Sequence, residues 1–184
     1  MGRKLFYTRH GESLWNVENK ICGQTDIPLT EHGHRQAEET GRMIFEKKIP
    51  IDEILCSPLS RASETARHIS EITGIPVRVE PALIEQNFGI WEKQTRDTEE
   101  FRMAVRTYFN SFETGESMAQ LCHRLYTLLD RLKNDCSGKN YLLVAHNGVA
   151  RAVKSYFCKD LTNEQYSAFS IKNCQILEFD FDNV

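Results

Sequence analysis

Leu5-Phe6-Tyr7-Thr8-Arg9-His10-Gly11-Glu12 decides how this chain is read. An apolar strand, residues 5–7, runs out into an arginine and a histidine with a glycine behind them. The same arrangement recurs far downstream, where the apolar run at residues 141–145 delivers His146-Asn147-Gly148. Open α/β sheets bind ligands in the crevice beyond the carboxyl ends of their strands. Two histidines carried by two such ends can therefore meet in space although they are far apart in sequence. Near neutral pH an imidazole can act as nucleophile, general acid or charge donor. A neighbouring guanidinium offers a planar fork that suits a phosphate. The pattern points to phosphoryl chemistry on histidine.

Outward from these two junctions, strand and helix patterns alternate without repeats or low-complexity tracts. Thr30 reads as the N-cap of a helix reaching residue 47, with Ala37, Gly41, Ile44 and Phe45 on its inner stripe. Residues 54–56 form a short buried strand. Ser57-Pro58 then read as N-cap and first residue of a helix that runs to about residue 73 and stops at Gly74. Residues 76–79 give another short strand, and 80–95 are irregular. Two helices follow, one carrying Phe101, Val105, Tyr108, Phe109 and Phe112, the other carrying Met118, Leu121, Cys122, Leu125, Leu128, Leu129 and Leu132. Ser117 and Gln120 make a capping box for the second. A helix over 148–157 precedes two closing strands, 168–171 and 175–181, whose hairpin would add an antiparallel edge. Repeated β-α-β order predicts a three-layer α/β sandwich: a mostly parallel central sheet, helices on both faces and an antiparallel edge strand. The length predicts one domain over residues 1–184, with a helical insertion at about 96–136.

Composition excludes several classes. A net charge of −3 gives no support to nucleic-acid binding, which shows a basic excess. No apolar run approaches the length of a membrane span. The start, Met1-Gly2-Arg3-Lys4, leaves no room for a signal peptide, and Phe6 stands where a myristoylation signal wants Ser or Thr. The six cysteines are dispersed and form no C-x-x-C pair, which predicts free thiols in a reducing compartment. A cytoplasmic protein is expected.

Arg61 matters as much as the two histidines. It lies in the first turn after the strand at 54–56, so three strand-to-helix junctions supply Arg9 and His10, Arg61, and His146 to one sheet edge. The plain alternative for Arg61 alone is a surface salt bridge with Glu64 or Glu31. A helix N-terminus adds unpaired N–H groups that favour an anion. Metal binding finds little support: His32 and His34 point to different faces of a helix, and His68 and His123 lack an evident companion set. A proton donor is also required. Glu85 sits in an apolar setting within 82–92, with Glu92 as the alternative, and spacing does not choose between them.

Together these residues resemble the histidine phosphatase superfamily, in the branch containing cofactor-dependent phosphoglycerate mutase and related small phosphatases. Arg9-His10-Gly11-Glu12-Ser13 with Trp15-Asn16 is similar to its nucleophile motif, and Gly23-Gln24-Thr25-Asp26 onward to Gly33 to its second signature. Ser57-Pro58-Leu59-Ser60-Arg61-Ala62, Leu83-Ile84-Glu85, Gly115-Glu116-Ser117 and Val144-Ala145-His146-Asn147-Gly148 resemble the remaining four, in the right order over essentially the whole chain. The resemblance implies a phosphoglycerate mutase-like fold and a phosphomonoester hydrolase acting on a small phosphorylated metabolite, with inorganic phosphate as product. It implies that His10 becomes a phosphohistidine and that Arg9, Arg61 and His146 bind the transferred group, His146 being protonated when phosphate is bound. Asn16 and the backbone at Gly23 would add hydrogen bonds, and Glu85 would protonate the leaving alkoxide, then activate water. No metal or organic cofactor is implied. Asn147 stands where the family often has a second glycine, and its amide is expected to face the site as a further donor. Phe88 replaces a tyrosine of the mutases, and Arg96 stands at one of their lysines. A modest insertion and a chain that stops soon after its last strand favour hydrolysis over the mutase reaction. A non-catalytic phosphate-binding or interaction module is the reading from another class. Oligomeric state stays open, the closing strand being free to pair across a dimer axis.

Overall fold

Side-chain alternation along five short strands generates three layers. The computed structural model describes residues 3–184; Met1 and Gly2, on which the expectation of no leader partly rests, lie outside the described residues. The strands are β1 (Lys4–Arg9), β2 (Glu53–Cys56), β3 (Val77–Val79), β4 (Tyr141–Ala145) and β5 (Ile176–Asp180). They form one sheet in the order β3-β2-β4-β1-β5. All neighbouring pairs are parallel except β1 with β5, which is antiparallel. A central parallel strand is covered on both faces and so reads as an unbroken apolar run; every residue of β4 is buried.

After the single turn α1 (Leu14–Val17), helices α2 (Glu31–Glu46) and α3 (Ser60–Thr73) cover one face. There Ile44, Ala62, Ala66 and Ile69 meet Phe6, Ile54, Cys56, Leu142 and Val144. The short α4 (Glu99–Ala104) is followed by α5 (Met118–Lys133) and α6 (Asn147–Phe157). The opposite strand faces, carrying Leu5, Tyr7, Leu55, Leu143 and Ala145, pack with Leu125, Leu129, Val149 and Val153 of α5 and α6. A last short helix, α7 (Asn163–Ala168), leads to β5. The three-layer expectation is met, and so are the caps at Thr30, whose hydroxyl accepts from Gly33 N at 2.9 Å, and at Ser117 with Gln120.

Four local expectations are corrected. Phe45 is 64% exposed rather than on the inner stripe of α2. Ser57 does not cap α3: the N-cap is Leu59, and Asp26 from a distant loop accepts from Ser60 N at 2.8 Å. That carboxylate satisfies an end N–H and complements the positive helix end. The aromatic helix at 101–112 ends at Ala104, and further on Phe112 and Glu113 take left-handed φ values of 55° and 66°. The chain must bend there to lay Glu116 N on Asn87 O at 2.8 Å, and a Cβ on Gly89 would meet Phe112 O at 2.3 Å. The expected strand at 168–171 is absent, so no terminal hairpin forms. Thr162 and Gln165 instead make a capping box that starts α7, and β5 alone supplies the antiparallel edge.

Candidate active site

Strand register puts the key residues level. In the β1–β4 pairing Arg9 lies opposite Ala145, and in β2–β4 Cys56 lies opposite Val144. Backbone bonds extend this alignment past the strand ends: His10 N donates to Ala145 O at 2.9 Å and Ser57 N to Val144 O at 3.0 Å. The His10 and His146 rings consequently lie 5.1 Å apart between centroids, tilted by 60°.

His10 is 4% exposed, and its Nδ1 lies 2.6 Å from Gly11 O. A carbonyl can only accept, so Nδ1 carries the proton and Nε2 keeps its lone pair. Burial first, then Arg61 and Arg9, holds the His10 pKa well below its ordinary 6.5. The ring is therefore a neutral imidazole with a free in-plane lone pair. His146 is fully buried; its Nε2 sits 2.7 Å from Ser57 Oγ, and Nδ1 has no protein partner. Its pKa is also depressed, by burial, then Arg61 and His10.

The two depressed imidazoles make stability depend on pH with a definite sign. Below pH 6.5 the unfolded histidines take up protons that the folded ones refuse. Their contribution is fully present above that pH and is lost as pH falls towards the folded pKa values. The urea midpoint at about pH 5 is expected to lie below that at about pH 7.5. Inorganic phosphate should narrow the gap, because an anion beside the rings favours their protonated form and stabilises the folded state by binding it.

Arg61 is 1% exposed, an unusual place for a guanidinium. Nη1 donates to Thr25 O at 3.0 Å and Nη2 to Gly23 O at 2.7 Å, while Nε lacks a protein partner. Two loop carbonyls thus aim a charge that water does not solvate. The alternative, a surface salt bridge with Glu64 or Glu31, is not formed; Glu64 pairs with Arg67 at 2.9 Å instead. Gly23 contributes a carbonyl to Arg61. The Arg9 pKa is pushed down to about 10 by burial first and then by Arg96. Its Nη1 donates to Ile171 O at 3.2 Å, and its buried Nε is unpartnered.

Glu85 is 5% exposed and opposes these cations. Its carboxylate accepts from Gln86 N at 2.9 Å and Gly148 N at 3.1 Å. Arg124 braces the segment, forking onto Glu116 at 2.7 and 2.8 Å and reaching Glu85 O at 3.3 Å. The alternative, Glu92, is spent elsewhere: it accepts from Gln24 N at 2.8 Å and Thr25 N at 2.9 Å, holding the loop that orients Arg61. A Cβ on Gly148 would come within 2.5 Å of Glu85 Oε1, so any side chain there pushes that carboxyl aside. Gly148→Ala is expected to displace that carboxyl at a cost of about 1–3 kcal/mol. Turnover should fall while circular dichroism stays native-like, with the stability loss read from urea melts.

These groups border a cleft of about 790 Å³. Arg9, His10, Asn16, Glu85 and Asn147 line it, together with Phe88, Arg96 and Arg151. Arg61 and His146 are buried beside it, with Arg61 Nε and His146 Nδ1 left without a protein partner. Asn147 lines the cleft as expected; its side-chain carbonyl accepts from Ile171 N at 3.0 Å and Ser170 Oγ at 3.2 Å, which leaves its NH2 group to donate. Phe88 anchors the α4 wall through edge contacts with Phe101 at 5.5 Å. Sequence reasoning missed three contributors. Ser57 touches His146, Asn173 donates to His10 O at 2.7 Å, and Arg151 points along the cleft after donating through Nε to Phe169 O at 2.9 Å. Asn173 and Arg151 carry no local pattern that reveals them. His34 and His68, read as lacking companions, do converge with Glu64 between α2 and α3. Among the described residues no helix is long and apolar enough to cross a membrane.

The sheet order and this gathering of groups define an α/β protein with a histidine- and arginine-centred cleft at its strand ends. The chain belongs to the histidine phosphatase superfamily (branch 1), whose profile matches residues 5–184. It is 32% identical to a probable phosphoglycerate mutase GpmB of Yersinia enterocolitica, over 97% of this chain and 85% of that one. Among solved structures it is similar to a mycobacterial glucosyl-3-phosphoglycerate phosphatase, with TM-score 0.83 and 27% identity over 100% of this chain and 95% of that one. It is also similar to a putative alpha-ribazole-5'-P phosphatase from Escherichia coli, with TM-score 0.83 and 25% identity over 98% and 91% of the two chains.

Proposed function

We propose that this protein is a phosphomonoester hydrolase working through a phosphohistidine on His10. The observation that carries the reading is a buried His10 whose Nδ1 lies 2.6 Å from Gly11 O, fixing the ring and leaving Nε2 as the nitrogen free to attack. Nε2 attacks phosphorus, the N–P bond forms and the ester P–O bond breaks. Arg9, Arg61 and His146 hold the equatorial oxygens, where transition-state charge gathers. Asn16 adds a hydrogen bond from the cleft wall. The protonated Glu85 carboxyl gives its proton to the leaving alkoxide. As a carboxylate it then takes a proton from water, whose oxygen attacks phosphorus; inorganic phosphate leaves and His10 is restored.

The cleft is larger than a phosphoryl group needs and falls in the range of small-molecule sites. A phosphorylated metabolite therefore fits better than a phosphoprotein. Hydrolysis is favoured by the phosphatase names of the structural relatives and by the slight wall over the cleft, a six-residue helix followed by turns. Phosphoglycerate mutase-type transfer is the second reading, favoured by the name of the Yersinia relative. Rapid quenching with labelled substrate should trap an acid-labile adduct, located on His10 by mass spectrometry. A panel of phosphorylated metabolites should release inorganic phosphate. Isomerisation of a phosphoglycerate without phosphate release would favour the mutase, and the absence of any adduct would remove both readings.

A further inference from the structure

We propose that His34, Glu64 and His68 form a binding site for a first-row divalent transition ion, zinc foremost, that staples α2 to α3. His34 Nδ1 and His68 Nε2 lie 2.9 Å apart, and the Glu64 carboxylate completes a set whose ligand atoms are all within 4.8 Å of one another. Two imidazoles with one carboxylate suit zinc, leaving a fourth position for water. In a tetrahedral site with bonds of about 2.0–2.1 Å, two nitrogens sit roughly 3.3 Å apart. The present pair needs to open by only a few tenths of an ångström.

The backbone prepares this arrangement. Glu64 and His68 are four residues apart on α3, hence one above the other on the same helical face. α2 approaches closely because Gly41 has no side chain; a Cβ there would lie 3.2 Å from Ile69 Cα. Arg67 now holds Glu64 at 2.9 Å but also holds Glu71 at 2.6 Å. Glu64 can therefore turn to a metal without leaving that guanidinium unpaired. The Glu64 side chain is 42% exposed and that of His68 is 14% exposed, so an ion can enter from solvent. The site lies away from the cleft: neither histidine lines it. Its mechanical reach is longer, since α3 carries Arg61 and also Thr65, whose hydroxyl accepts from Gly11 N at 3.0 Å.

Titration of the full chain with Co²⁺ and Zn²⁺ tests the proposal. One equivalent of Co²⁺ should bind with the visible bands of a tetrahedral ion, and Zn²⁺ should displace it and raise the melting midpoint. In His34→Ala/His68→Ala the bands and the shift should disappear while p-nitrophenyl phosphate turnover remains. In His10→Ala they should persist, which separates this site from the other histidine pair at His10 and His146. Imidazole ¹⁵N resonances of His34 and His68 should shift with Zn²⁺ in the unmodified protein, giving a readout even where the double variant folds poorly. Absence of binding, binding indifferent to the double replacement, or loss of binding in His10→Ala would overturn the proposal.

Discussion

His10→Ala is expected to lower hydrolysis of p-nitrophenyl phosphate by roughly four to six orders of magnitude, the scale seen when a covalent nucleophile is removed. The trapped adduct should vanish with it. The fold should survive, because the backbone bond from residue 10 N to Ala145 O does not involve the ring. The buried imidazole is also a group that resists protonation on folding. Its removal should therefore flatten the loss of stability at acidic pH, with His146 left as the main contributor. Unaltered turnover in a well-folded variant would show that the phosphoryl group never resides on His10.

Glu85→Ala should divide substrates by their leaving groups. Alkyl phosphates, whose alkoxides need a proton, are expected to slow by about 10²–10⁴-fold. Nitrophenolate departs without that help, so the first step on p-nitrophenyl phosphate should be nearly spared. Release of phosphate from His10 would then lag, since water has lost its base. Nitrophenolate should appear in a burst equal to the enzyme present, followed by slow turnover. An equal loss for both substrate types, without a burst, would assign Glu85 to positioning rather than to proton transfer. Its two backbone donors, Gln86 N and Gly148 N, make such positioning the natural competitor.

The strand ends were legible in the sequence because each is an apolar run that stops at a chemically distinctive residue. Burial on both sheet faces leaves Tyr141–Ala145 little freedom to be anything else. Arg61 could be placed near the site but not oriented, since its partners Gly23 and Thr25 come from a loop 36 to 38 residues earlier. Ser57 was misread because its dipeptide with Pro58 is a good helix start locally. Its hydroxyl is engaged by His146, 89 residues away, and the helix begins later. The aromatic run at 101–112 shows helical spacing, yet two of its members serve Phe88: Phe101 packs at 5.5 Å and Phe112 at 6.0 Å. Periodicity recorded which residues are apolar and not which neighbour they meet. The Thr162 and Gln165 capping box that opens α7 is present in the sequence and forms as such a pair should. Spacing left Glu92 and Glu85 open and the family resemblance named Glu85; in the structure the loop at 23–25 occupies Glu92.

The bonds from residues 171–174 back to β1 carry a consequence for how the enzyme comes into being. Cys174 N donates to Arg9 O at 2.9 Å, Asn173 to His10 O at 2.7 Å, and β5 closes the free side of β1. His10, the proposed nucleophile, is synthesised 163 residues before the Asn173 that braces it. Until β4 and β5 have been made, a nascent chain carries an unsheltered β1, with both edges' hydrogen-bonding groups unpaired and open to wrong partners. Because β1 pairs only with the distant β4 and β5, folding must close very long loops before the sheet is rewarded. Competence for chemistry should therefore arrive abruptly, once β5 has been made, rather than growing with chain length.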